Sequence, residues 1–170
     1  MSVPLAPTLV AIVALLGCSA FFSSSETALF SLSREWLADA AETDRRAAAV
    51  AEVLEDPHRL LVTLLVGNNV VNITLSSLLT AVLVDRLDPG LAVLATTVVA
   101  STVILIAGEI IPKSYGLGHA QTFALRVIRP LRYVSLLLYP VVVVFDLLTR
   151  TMSDSIGGQQ SIEQTYDEVQ

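Results

Sequence analysis

The sequence predicts an all-α membrane protein, and three observations carry that prediction. Apolar residues make up 54% of the 170 and the mean hydropathy is +0.69, against roughly 45–50% apolar content in ordinary globular domains. Four apolar stretches, Leu5 to Phe22, Leu60 to Val84, Leu91 to Ala107 and Leu131 to Leu148, each reach the length of about 17–25 residues that a spanning helix needs. The segments between them are polar, rich in helix formers and punctuated by Pro and Gly.

The first stretch has no basic residues ahead of it, and its helical pattern continues through SSSETALFSLS, so a retained span over about 5–32 is expected rather than a cleaved signal. Its Cys18 is the single cysteine, which excludes a disulfide framework and a Cys-based zinc site. A lone cysteine there reads as a small buried apolar residue. Ser33 to Arg59 contains AETDRRAAAVAEVLED and is broken by Pro57, which predicts a pair of short helices over about 34–56 outside the bilayer. A second span over 57–84, a tight turn at DRLDPG and a third span over 90–108 follow.

Orientation comes from the basic residues. Arg34, Arg45, Arg46 and Arg59 fall in the first connection, and Lys113, Arg126, Arg129 and Arg132 follow the third stretch, whereas DRLDPG has one arginine. The positive-inside rule then places both basic segments in the cytoplasm and the N-terminus outside, with three crossings of the cell membrane. The fourth stretch, LRYVSLLLYPVVVVFDLLT, carries Pro140 and Asp146 behind an arginine-rich lead-in. A bent belt helix over about 120–150 in the cytoplasmic leaflet suits it, with the C-terminus inside; a full fourth crossing is the alternative. Residues 151–170 read as a polar tail or linker.

The net charge of -6 comes from acids spread over solvent-facing segments, which argues against nucleic acid as a partner. No G-x-S-x-G elbow, H-E-x-x-H run or phosphate-binding loop occurs, and His58 and His119 sit at helix margins, so the chain does not read as an enzyme.

Polar groups at membrane depth are the functional signal, because an ionisable side chain there costs at least about 2.5–3.5 kcal/mol. In CSAFFSSSETALFS, Ser19 and Ser23 share a helical face. Ser23-x-x-Glu26 has the capping-box pattern of a helix restarting after a break, and such a break would also expose oxygens able to ligate a cation. In GNNVVN, Asn68 and Asn72 share a face, while Asn69 points about 100° away, towards a neighbouring helix. Interhelical hydrogen bonds at about 0.6 kcal/mol each would explain these amides, but an amide oxygen is also a neutral ligand for a hard cation. In AGEIIPKS, Glu109 stands between Gly108 and Pro112, and the proline frees the Gly108 carbonyl. The local alternative pairs Glu109 with Lys113 one turn on. Together these hydroxyl, amide, carboxylate and carbonyl oxygens describe a hard-cation site.

In this order, FFSSSETALFSLS, LLVGNNVVNITLSSLL and GEIIPKSYG resemble the transmembrane domain of the cyclin M / CorC family of magnesium transporters. The resemblance spans about residues 5–150. It implies a homodimer in the bilayer, each protomer having three transmembrane helices, a cytoplasmic helix pair and a juxtamembrane belt helix. It implies Mg2+ export, with Na+ entry as the driving exchange. Carried over by motif, Ser19, Ser23, Asn68 and Glu109 would be the metal ligands, with Asn72 and the Gly108 carbonyl close by. Family members continue into a cytosolic pair of CBS domains that bind adenine nucleotides; residues 151–170 would lead towards them. Two other readings fit the same residues: a Mg2+-binding sensor or scaffold without transport, and an exchanger for another divalent cation.

Overall fold

The computed structural model describes residues 4–156, with side chains through 145. Among the described residues the regular structure is entirely helical: α1 (Leu5–Phe30), α2 (Arg34–Thr43), α3 (Arg45–Leu54), α4 (Pro57–Val84), α5 (Pro89–Val103), a π-helical segment (Ile104–Ile110), α6 (Ile111–Gly118) and α7 (Ala120–Ile156). Four helical runs are long and apolar enough to cross a membrane: Leu5–Phe30, Pro57–Val84, Pro89–Gly118 and Ala120–Phe145.

Each restart in the polar connection has an identifiable cause. Ser33 accepts from the Trp36 amide at 3.3 Å to begin α2, and Asp44 accepts from the Arg46 amide at 2.7 Å to begin α3. Asp56 accepts from the Arg59 amide at 3.0 Å, with Pro57 in the first turn of α4, where a missing N–H is harmless. Caps of this kind contribute about 1 kcal/mol each.

α1 is continuous through SSSETALF. The capping-box reading of Ser23 and Glu26 is therefore corrected: no helix restarts there, and Glu26 instead bonds to another element. The interruption lies in the third apolar run, where Pro112 supplies no backbone donor and the chain widens into the π segment just before it. The Ile111 amide reaches five residues back, to the Ile106 carbonyl. Beyond this turn the helix resumes as α6, so the third run extends past the residue 108 at which the sequence suggested it ends.

α7 includes both Pro130 and Pro140. Ala124, Val127, Ile128 and Leu131 form its buried stripe, whereas Arg126, Arg129, Arg132, Tyr133, Leu136 and Leu137 are exposed. That 3–4 spacing is the pattern of an amphipathic helix resting on a bundle, and α7 packs on α1, α3 and α4.

The main apolar core lies where the helix pair meets the bundle. Phe22 and Leu29 of α1, Leu37 of α2, Ala47 and Val50 of α3, and Leu60 and Leu64 of α4 close on Ala124, Ile128 and Leu131. By contrast, Val10, Val13, Leu94, Val98 and Ile73 are exposed, which is the surface hydrocarbon requires of a spanning helix. Cys18 shares that outer surface and is exposed, not buried as its residue type suggested. The reason is one of level and not of rotation: Phe22 and Ser25, one and two turns further along the same face, are buried, and the buried part of α1 begins only at Ser19.

Candidate cation site

The three polar motifs converge at one place. Ser19 on α1 donates its hydroxyl to Asn72 Oδ1 at 2.7 Å and lies 3.3 Å from Asn68 Oδ1, both on α4. Asn72 Nδ2 in turn donates to Glu109 Oε1 of the π segment at 3.3 Å. A hydroxyl has one proton, so it is shared unequally: the contact to Asn72 is the shorter, and Asn68 Oδ1, the weaker acceptor of the two, keeps a lone pair free. The amide orientation of Asn72 follows from the chain of bonds, with its oxygen towards the hydroxyl and its nitrogen towards the carboxylate.

Gly108 makes this approach possible. A Cβ there would lie 2.7 Å from Ser19 Oγ and 3.4 Å from Ser19 Cβ, so a side chain would push the serine out of its place. The π segment presents Gly108 to α1 and Glu109 to Asn72 from adjacent residues, and the sequence departs from regular α-helix just there.

Ser23 lies one turn beyond Ser19 on the same face of α1. It is 1% exposed, and its hydroxyl has no hydrogen-bond partner among the described residues. Leaving such a group unpaired costs about 1–3 kcal/mol. Ser25 and Thr96 are orphaned in the same way, so it is the position of Ser23 beside the cluster, and not its orphan status alone, that makes it a candidate ligand.

Of the six residues singled out by sequence, the structure links Ser19, Asn68, Asn72 and Glu109 by hydrogen bonds and sets Gly108 against Ser19. Ser23 stays outside that bonded chain. The donor set is oxygen throughout, and only Glu109 is charged. No group of three or more His, Cys, Asp or Glu side chains able to hold a metal occurs among the described residues, so a cation at the cluster would depend on hydroxyl, amide and backbone oxygens around one carboxylate. A cleft of about 630 Å³ opens elsewhere, between α1, α2 and the α3–α4 junction; its walls carry Arg34 and Glu55 amid apolar side chains and lack the cluster's chemistry.

The local alternative for Glu109 is not the bond that forms: among the described residues Lys113 pairs with Glu26 of α1 at 3.2 Å and not with Glu109 one turn away. Asn69, expected to contact a neighbouring helix, is exposed among the described residues, and its Nδ2 donates to the Leu65 carbonyl of its own helix at 2.9 Å. The first contact was missed because spacing rules see only neighbours on one helix; an acid on another helix is visible only after packing.

Residues 10–170 match the family model for the cyclin M transmembrane N-terminal domain. The chain is 35% identical over 157 residues to a chloroplastic DUF21 domain-containing protein of Arabidopsis thaliana, covering 91% of this chain and 24% of the relative. It is 32% identical over 157 residues to a UPF0053 protein of Haemophilus influenzae, covering 92% and 37% respectively. Against the UPF0053 inner membrane protein YfjD of Escherichia coli it is 32% identical over 145 residues, covering 85% and 34%. The chain thus spans about a quarter to two-fifths of the length of these relatives. With this match over nearly its whole length, the chain belongs to the CorC/CNNM family, as a cyclin M transmembrane domain.

Proposed function

We propose that this domain carries Mg2+ across the membrane as the cation-binding part of a transporter. A multi-pass helical domain of this family is consistent with ion transport, and the observation that supports magnesium as cargo is the convergence of three distant motifs on one oxygen-only cluster. Hydroxyl, amide and carboxylate oxygens suit a hard divalent ion. Glu109 supplies the single charge, Asn68 and Asn72 supply neutral amide oxygens, Ser19 and Ser23 supply hydroxyls, and the backbone at Gly108 supplies a carbonyl oxygen.

The charge balance favours a carrier over a store. One carboxylate against a divalent ion leaves a net positive site, which holds its cargo weakly and lets it go. The π segment lies at the cluster itself, as such segments often do at functional sites. In this reading the protein works as a homodimer, sodium entry drives magnesium export, α7 lies along the cytoplasmic leaflet as a belt, and the C-terminus is cytoplasmic. Nucleotide-binding CBS domains would act on it from the longer protein.

The test is flux. Full-length protein in liposomes should release or take up Mg2+ under an imposed sodium gradient, and Glu109→Gln should abolish it. Binding of Mg2+ without flux under any gradient would favour a sensor or scaffold instead. Competition by manganese or cobalt at equal concentration would indicate a different divalent cargo.

A further inference from the structure

Lys113 is the sole lysine of the chain, and two carboxylates stand within its reach. Glu109 lies four residues earlier on the same helical path, the i,i+4 arrangement that brings side chains to about 5–6 Å and in which an acid preceding a lysine is the favoured order. Glu26 is on α1, and it holds the ammonium at 3.2 Å. Glu109 bonds to the Asn72 amide and to no cation among the described residues. The local pairing rule favours the bond that is absent, and the tertiary structure makes the other one.

The geometry along the seam explains the choice. α1 and the π–α6 path run side by side, with Gly108 against Ser19 at one level and Gly116 against the Ser24 backbone at the next. The Glu26–Lys113 bond belongs to the end of the seam that leads into α2, and the cluster lies towards the other end. Both partners are partly exposed, at 35% and 45%, so the bond by itself adds little to stability. Its effect is placement, because an ammonium held by Glu26 is kept off Glu109.

We propose that Glu26 is a positioning residue for the cation site: by holding Lys113 it keeps the Glu109 carboxylate available, and without it Lys113 turns to Glu109 and competes with the bound ion. This rests on the reading of Glu109 as the charged ligand. In the partly buried cluster such competition is stronger than on an exposed helix, since charges interact more strongly away from water. Glu26 then acts on affinity through Lys113 and never touches the ion.

Two measurements on the full chain test it. Incorporating 15N-lysine gives one side-chain ammonium signal from residues 1–170, that of Lys113, which Lys113→Met identifies by its loss. Glu26→Gln should move that signal, and Glu109→Gln should move it much more in the Glu26→Gln background than in the wild type. Equal effects of Glu109→Gln in both backgrounds would overturn the proposal. In parallel, magnesium chloride titrated calorimetrically should bind Glu26→Gln about three- to tenfold more weakly than wild type, and Glu26→Gln/Lys113→Met should recover the wild-type affinity. A Glu26→Gln affinity equal to wild type would equally overturn it. Should wild type bind no magnesium, the transport reading fails, and the ammonium signals alone decide where Lys113 goes.

Discussion

The seam between α1 and the third apolar run contains the same three residue types twice, and they behave differently. At one level are Ser19, Gly108 and Glu109; at the next are Ser24, Gly116 and Glu26. Ser24 turns its hydroxyl back to the Ala20 carbonyl of its own helix at 2.6 Å, and Glu26 bonds to Lys113. Ser19 turns its hydroxyl sideways to the amides of α4, and Glu109 accepts from the Asn72 amide and from no cation among the described residues. One level is internally satisfied and closes the seam. The other gathers oxygens around a carboxylate that has no counter-charge among the described residues, which is why the proposed cation site is placed there.

Neutralising the two acids should therefore have unequal effects. Glu109→Gln removes the only charge in the cluster; a charge-assisted contact is worth about 1.5–3 kcal/mol, so Mg2+ affinity by calorimetry should fall about 10- to 150-fold. An affinity within twofold of wild type would remove Glu109 from the site. The loss from Glu26→Gln should be several times smaller and reversed by removing Lys113, as argued above.

The two glycines sharpen the contrast in the opposite direction. A Cβ at Gly116 would sit 2.4 Å from the Ser24 carbonyl oxygen and 3.1 Å from its Cα, against backbone that cannot step aside. A Cβ at Gly108 would meet chiefly the Ser19 hydroxyl, which can rotate away. Gly116→Ala should thus cost about 1–3 kcal/mol of stability, in the range of overpacked cores, and lower the melting temperature in detergent by several degrees. Gly108→Ala should lower it less while weakening Mg2+ binding more. Equal melting shifts with unchanged binding would show that both glycines serve packing alone.

How much of this was legible beforehand depended on whether the cause was local. Asn68 and Asn72 share a face by helix geometry alone, and Glu109 beside Pro112 announces a loosened helix; the π segment lies where that loosening was expected. The apolar stretches are long enough to mark their helices without any packing information. Long-range placement was not legible. Cys18 is exposed although Phe22 and Ser25 on its own face are buried, because the covered part of α1 begins only at Ser19, and Lys113 chooses between two acids only once α1 lies against α6. The continuous path of α1 through SSSE, where a capping box suggested a restart, shows tertiary packing overriding a local signal: Ser23, Ser24 and Ser25 are all buried between helices.

The smallest expected effect concerns those serines, and it separates site from scaffold most cleanly. Ser23 and Ser25 both have buried hydroxyls without partners among the described residues, whereas Ser24 is bonded within its helix. Replacing an unpaired buried hydroxyl by a methyl-sized side chain relieves its desolvation cost, so Ser23→Ala and Ser25→Ala should each raise stability, by up to about 1 kcal/mol. Only Ser23 stands beside Ser19 on the face that meets the cluster. Ser23→Ala should therefore stabilise the protein while weakening Mg2+ binding several-fold, the opposition expected where a strained group is retained for function. Ser25→Ala should stabilise without touching binding, and Ser24→Ala should change both by little. If Ser23→Ala and Ser25→Ala gave the same melting shift and the same magnesium affinity, Ser23 would be an ordinary packing defect, and the ligand set would shrink to the residues already joined by hydrogen bonds.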